Sequence, residues 1–276
     1  DVAGAAAITT SLILAVYAII NGNESGWMSP STLGMLGVAV ILFASFIVIE
    51  MRVREPLMPL SMFRLRNVAT ANVAGVLWAA AMFAWFFLSA LYMQQVLGYD
   101  PLKVGLAFVP ANVIMAAFSL GLSAKMVMRF GLKFPLAFGL LLAGLGLVLF
   151  ARARVDGQFV TDVLPGMTLL GLGAGMAFNP VLLAAMSDVD PRDSGLASGL
   201  VNTSFMLGGA LGLAVLASLA AARTESLLAT HANTLESLNA GYHAAFAVGA
   251  VFAFAAALIG LVGIRATNVD VAHATH

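Results

Sequence analysis

The sequence predicts an all-α polytopic membrane protein. Of its 276 residues 61% are hydrophobic and only 9% are charged, and the apolar residues are gathered into long uninterrupted runs. A water-soluble domain carries roughly 25% charged residues, and this chain lacks the polar side chains to cover such a surface. A helix needs about 20 apolar residues to cross a hydrocarbon core of roughly 30 Å. Eight runs reach or approach that length: Gly4–Ile20, Leu33–Ile49, Val68–Met93, Leu102–Ser123, Phe134–Ala151, Val163–Met186, Gly195–Ala222 and His243–Ile264. They do not alternate polar with apolar, which disfavours barrel strands. The zero formal net charge argues against a nucleic-acid partner. The absence of cysteine removes disulfides and thiolate metal sites.

The first two spans are near the short limit and are joined by NGNESGWMSPST, whose Trp27 suits an interfacial anchor. The segment Glu50–Asn67 is basic and interrupted by Pro56 and Pro59, and reads as a boundary. It divides the chain into residues 1–67 (a helix pair and its junction), 68–264 (a six-helix bundle) and a tail, 265–276. In the third span Trp78, Met82, Trp85, Ser89 and Tyr92 recur at steps of 4, 3, 4 and 3, one helical stripe. Its aromatic faces and adaptable thioether suit apolar, often cationic, substrates; packing or lipid contact is the alternative. The fourth and sixth spans contain Pro110 and Pro180.

Leu170–Gly212 reads as two helices around a charged loop, Ser187–Ser194. Gly171, Gly173 and Gly175 precede the loop, and Gly195, Gly199, Gly208, Gly209 and Gly212 follow it. Small residues at such spacings let helix backbones approach closely in lipid. Pro180 leaves the Met176 carbonyl without its usual partner. Gly171, Gly175, Pro180, Gly195, Gly199, Gly208 and Gly212 are therefore the expected hinge and packing seam. Asp193 or Ser194 is expected to cap the second helix, and Arg223–Tyr242 reads as a polar loop without assigned function.

With the first residue placed in the cytoplasm, nine basic residues fall inside: Arg52, Arg54, Arg64, Arg66, Lys125, Arg129, Lys133, Arg192 and Arg265. Four fall outside: Lys103, Arg152, Arg154 and Arg223. The positive-inside rule then puts both termini in the cytoplasm. The chain starts at Asp1, at the edge of an apolar span and without a basic leader, and reads as part of a longer protein truncated on its N-terminal side.

Ionisable groups inside a membrane mark ion pathways, yet no Asp, Glu, Lys or Arg lies mid-span. Any proton-coupling residue is expected outside this chain. The polar groups within spans are amides and hydroxyls, chiefly Asn112, Asn179 and Asn202. Such groups usually hydrogen-bond between helices; Asn179, beside Pro180, is the stronger candidate for contact with a substrate. His231, His243, His273 and His276 lack metal-ligand spacing, so neither a metal nor a cofactor is expected. An integral-membrane enzyme would need a positioned nucleophile and base, which these spans do not supply.

Several stretches together resemble the second part of a fourteen-span drug:proton antiporter of the major facilitator superfamily. They are Gly26-Trp27, the Glu50…Pro56…Pro59…Phe63-Arg64 junction, LYMQQVLGYDPLKVGLAFVP (Leu91 to Pro110), Leu170–Gly212 and Gly241-Tyr242…Phe246. The resemblance implies a central helix pair followed by the C-terminal six-helix bundle of an exporter in a bacterial inner membrane. It implies that the Trp78–Tyr92 stripe borders the central cavity, that Gln94 lies at the outer mouth, and that amphiphilic drugs and protons are the transported partners, with lipid around the helices. The family's cytoplasmic signature is weak here. Arg129, Gly131 and Lys133 match it, whereas Ala124, Met128 and Leu132 do not, so this turn is expected to hold two helices rather than gate. A dedicated exporter of one metabolite and a non-transporting scaffold or sensor remain alternatives.

Overall fold

The structure is a computed structural model that describes residues 2–53, 56, 60–230 and 233–265. Its helices are α1 (Val2–Ser25), α2 (Pro30–Glu50), α3 (Arg66–Leu91), α4 (Pro101–Ala117), α5 (Ser123–Phe130), α6 (Lys133–Phe150), α7 (Leu164–Met186), α8 (Ser194–Leu228) and α9 (Thr234–Gly263). Single π-helical turns extend α3 (Tyr92–Val96), join α4 to α5 (Phe118–Leu122) and lead into α7 (Phe159–Val163). Eight of the resulting rods are long and apolar enough to cross a membrane, and no strand occurs among the described residues. Arg54, Pro59, His231, His273, His276 and the tail beyond Arg265 lie outside the described residues.

Local chemistry starts the helices where the sequence offers caps. Ser29 accepts a hydrogen bond from the Thr32 N–H with Pro30 in the first turn, and Asp100 accepts one from the Lys103 N–H with Pro101 beside it. Asn233 does the same for α9 through the Leu235 N–H. The loop before α8 differs from expectation. Asp193 makes no side-chain cap bond, the Ser194 hydroxyl donates back to the Pro191 carbonyl, and Asp190 instead caps the short turn Pro191–Asp193. Proline holds the chain in that tight turn, so the acidic cap serves it and not the long helix.

The expected polar loop Arg223–Tyr242 is mostly helix: α8 runs on to Leu228 and α9 begins at Thr234. Packing explains the extension. Gly241 brings α9 onto the Ala220 carbonyl and Thr224 of α8, so the pair keeps its contact beyond the apolar stretch. The rod starting at Pro101 likewise runs to Phe130, past the expected Ser123.

α1 and α2 form an antiparallel pair with a seam that repeats every seven residues. Gly4, Ser11 and Ala18 on α1 and Thr32, Ala39 and Phe46 on α2 are buried at that spacing, and Gly22 and Glu50 are buried one turn beyond it. The Ser11 hydroxyl donates to the Ala39 carbonyl at 2.7 Å across the seam. Trp27 folds over Gly22 and donates from Nε1 to Asn23 Oδ1 at 3.0 Å, closing the turn. The remaining helices share a separate core centred on α3, α6, α7 and α9. Leu136, Leu140, Leu147 and Phe150 of α6 are sealed against Met167 and Leu170 of α7 and Phe246 of α9, with Phe150 and Phe246 ring centroids 5.2 Å apart.

At the junction end a polar clasp ties three helices. Buried Asn67 donates to Ser187 Oγ (3.1 Å) and Asp188 Oδ2 (3.0 Å), and its Oδ1 accepts the Arg265 N–H at 2.8 Å. Arg66 donates to the last carbonyls of α9, those of Val262 and Gly263, satisfying groups that a helix end leaves open.

Candidate functional site

α3, α7 and α8 converge on a cavity of about 140 Å³ lined by Trp78, Phe178, Val181, Phe205, Asn202 and Met206, among others. Trp78 forms its buried wall, while Phe178, Asn202 and Met206 are exposed at its mouth. Phe178 and Phe205 meet edge to face with centroids 6.1 Å apart. The Trp78 Nε1–H is buried and has no acceptor, so the wall holds one unspent donor in otherwise apolar surroundings. Asn202 returns its own amide to the Ser198 carbonyl at 3.2 Å, one turn back on α8. The site thus offers aromatic faces and one amide, with no ion pair and no formal charge.

The rest of the aromatic stripe lies elsewhere. Trp85 is buried and packs on Phe86 (centroids 4.3 Å) and on Phe108 of α4 (6.1 Å). Met82 is partly buried against the core. Ser89 is buried and its hydroxyl donates to the Trp85 carbonyl at 2.6 Å. Tyr92 is buried and donates from Oη to the Arg154 carbonyl at 2.7 Å. Only Trp78 of the five lines the cavity. Because the π turn begins at Tyr92, the 3.6-residue pattern that defines the stripe also ends there.

Asn179 reaches across to α4's continuation, its Nδ2 donating to the Ser119 carbonyl at 2.8 Å. Asn112 is exposed on α4, away from the cavity. Gln94 is exposed, whereas the neighbouring Gln95 accepts a 2.7 Å hydrogen bond from Tyr242 Oη of α9. Sequence reasoning missed Gln95, because a π turn rotates successive side chains away from the α-helical register. It missed as well the clasp of the Ala153 carbonyl by Asn239 Nδ2 (3.0 Å) and His243 Nε2 (2.6 Å). A polar residue spacing on α9 was the only available signal.

The glycines divide by helix. A Cβ on Gly171 would meet the Ala111 carbonyl, and one on Gly175 would lie 2.8 Å from that of Met115, both on α4. Gly208 sits against Val76 and Gly212 against Ala80 on α3. Pro180 is buried within α7. Gly195 and Gly199 are the correction to the expected seam: nothing lies within 4 Å of the space a Cβ would occupy. Gly199 and Gly208 are nine residues apart, about two and a half turns, so they point to opposite sides of one helix. At the turn between α5 and α6, Gly131 has φ +72° and ends α5, Arg129 lies over Phe130 with 5.3 Å to the centroid, and Lys133 opens α6.

Eight apolar rods, spans without mid-membrane charge and a small aromatic recess between three of them describe a transport bundle. The chain belongs to the major facilitator superfamily, whose family model matches residues 2–213; it is of a transporter family and not an enzyme. It is 31% identical over 267 residues to the puromycin resistance protein pur8 of Streptomyces alboniger, covering 94% of this chain and 53% of that protein. It is 33% identical over 218 residues to the cephamycin export protein CmcT of Amycolatopsis lactamdurans, covering 78% and 45%. It is 31% identical over 233 residues to the multidrug resistance protein Stp of Mycobacterium tuberculosis, covering 84% and 42%. The chain spans about half the length of these relatives.

Proposed function

We propose that this chain is the C-terminal portion of a fourteen-span secondary exporter that moves amphiphilic, drug-like compounds out of the cell by alternating access. In this reading residues 1–67 are the central helix pair with its junction, 68–264 are the C-terminal bundle, and 265–276 are a cytoplasmic tail. Both ends of the chain lie in the cytoplasm of a bacterium, and the spans lie in its inner membrane. Exchange against protons is the proposed drive, with the titrating group outside this chain, because a cavity without a carboxylate or histidine carries no proton.

The observation that carries the reading is the recess of Trp78, Phe178, Phe205 and Asn202, open on one side. Alternating-access transporters hold substrate where two bundles meet, and a half-site with an exposed mouth is what one bundle would contribute. Phe and Trp faces bind planar or cationic amphiphiles without needing a fixed charge, and the free indole N–H of Trp78 offers an acceptor-bearing substrate one hydrogen bond. Similarity to proteins named for resistance to, or export of, antibiotics supports the substrate class. A second reading, export of one antibiotic only, is favoured by the relatives named for a single compound.

The test is efflux of puromycin and of aromatic cations from cells expressing the whole protein. Asn202→Leu should lower efflux severalfold at unchanged membrane abundance, and Trp78→Leu should lower efflux more than it lowers abundance. Trp85→Leu should lower efflux and abundance together, since Trp85 packs between helices. Unaltered efflux by Asn202→Leu would remove the recess from the pathway. Transport of one compound alone would decide for the dedicated exporter.

A further inference from the structure

Every residue of α8 from Gly199 to Leu207 borders a cavity on one side of the helix or the other. Val201, Asn202, Phe205 and Met206 line the recess, and Gly199, Leu200, Thr203, Ser204 and Leu207 line a second cavity, of about 760 Å³, between α8 and the α1–α2 pair. Taking the recess as the substrate site, we propose that this stretch of α8 is a yielding wall. Substrates larger than the recess press it back into the second cavity, and the room behind Gly199 and Thr203 sets the size of compound that is accepted.

Successive residues of an α-helix turn through about 100°, so the two sets of side chains centre on opposite faces of the same stretch. The recess alone is small. Doubled by an equal share from a facing bundle, its 140 Å³ would still sit at the foot of the roughly 300–1,000 Å³ range of small-molecule sites. Its other two walls cannot retreat. Trp78 of α3 is 1% exposed and seated in the main core. Beside Phe178, α7 runs backbone against backbone: a Cβ on Gly139 of α6 would lie 2.9 Å from the Ala177 nitrogen, and one on Gly175 would lie 2.8 Å from the Met115 carbonyl oxygen. Behind α8 is the second cavity, whose far side includes Ile8 and Leu12 of α1 and Phe46 of α2. A Cβ on Gly199 would meet no described residue within 4 Å.

The stretch is held at its two ends. Ala197 and Leu200 pack with Met62 and Val68 in a small cluster apart from the main core, and Gly208, Gly209 and Gly212 lie on α3. Between those ends the contacts allow movement. Asn202 bonds to the Ser198 carbonyl of its own helix, so it travels with the wall. Phe205 packs against Phe83 and Phe178 edge to face, each at 6.1 Å between centroids, within the roughly 4.5–7 Å that aromatic pairs prefer. The shift required is small. Eight rises of about 1.5 Å make a wall about 12 Å long and about 10 Å wide, so moving it roughly 1.5 Å adds roughly 180 Å³, more than doubling the recess. Helices at interfaces shift by about 1–2 Å in conformational switches.

The test is calorimetric titration of the purified whole protein with two aromatic cations of equal charge and different size, benzyltrimethylammonium and tetraphenylphosphonium. Gly199→Phe with Thr203→Phe fills the second cavity from the side away from the recess. It should weaken tetraphenylphosphonium roughly fivefold or more, the factor that about 1 kcal/mol of overpacking gives, and leave benzyltrimethylammonium near its wild-type affinity. Thr203→Leu, milder in bulk, should move the ratio of the two affinities in the same direction at an unchanged thermal midpoint. Gly34→Phe, equally free of neighbours but outside the cavity lining, should change neither affinity. Equal weakening of both cations by the cavity-filling variants, or of neither, would overturn the yielding wall, while loss of both with Asn202→Leu in the same titration would leave the recess as the substrate site. No change in either cation with Asn202→Leu would overturn the recess, and the wall with it. A lower thermal midpoint for Thr203→Leu would also overturn the wall, by showing protein packed on that face.

Discussion

α7 and α8 carry similar numbers of glycines yet use them in opposite ways. In α7 the spacing of two alternates faces: Gly171 and Gly175 admit α4 on one side, while Gly173 admits Gly139 and Ala143 of α6 on the other. The helix is gripped along its length and is among the most buried in the bundle. In α8 the five glycines form two groups, Gly195 with Gly199 and Gly208 with Gly209 and Gly212. Gly208, Gly209 and Gly212 pack on Val76, Phe83 and Ala80 of α3, whereas Gly195 and Gly199 have no neighbour within 4 Å of a Cβ; the cavity beside α8 borders Gly208 and Gly212 too. The lesson is that a glycine marks where a backbone can be approached, and the neighbouring element decides whether it is. One helix is thereby a fixed spine, and the other is fixed at one half and free at the other.

The largest test of that contrast is steric. Gly175→Leu and Gly208→Leu place a side chain against backbone atoms that cannot retreat, at 2.8 Å from the Met115 carbonyl oxygen and 2.6 Å from that of Val76. Overpacking costs about 1–3 kcal/mol, and backbone contacts put these two at the upper end. Both should lower the thermal midpoint of the purified whole protein and its yield, whereas Gly195→Leu should leave both unchanged. An equal loss for Gly195→Leu would mean that the gap beside α8 is occupied by protein.

A second test acts where α7 hands over to α8. Asn67→Ala removes the donor from Asp188 and the acceptor from the Arg265 N–H, a loss of about 2 kcal/mol when one partner is charged. The thermal midpoint should fall, and proteolysis should become faster in the loop at residues 187–193. A fall without faster cleavage there would show that Asn67 serves α9 rather than the α7–α8 turn.

The division between what the sequence reveals and what it hides follows the same physics. Run length and hydropathy report depth in the membrane, so the eight spans and their order were readable. They do not report where a helix ends in water, and the outer ends of α8 and α9 read as loop although Gly241 packs on Thr224. Trp78 and Trp85 are seven residues apart on one stripe and look equivalent in sequence. Only their neighbours separate them: Phe86 and Phe108 fill the surroundings of Trp85, while Trp78 is left beside a recess. The hydrogen bond from Tyr242 Oη to Gln95 was not readable either, because it lies on a π turn where the α-helical register no longer holds.

The finest distinction concerns two asparagines that composition treats alike. Asn179 of α7 bonds across to the Ser119 carbonyl, whereas Asn202 of α8 bonds within its own helix. An interhelical bond in a membrane protein averages about 0.6 kcal/mol. Asn179→Leu should therefore lower the thermal midpoint slightly and leave efflux almost intact, because the loss is one of packing between α7 and α4. Asn202→Leu should leave the midpoint where it is, since its amide ties no second helix, and change efflux instead. Measured on the same two proteins, opposite outcomes would assign stability to α8 and transport to α7, and the contrast between a fixed spine and a working face would have to be drawn the other way round.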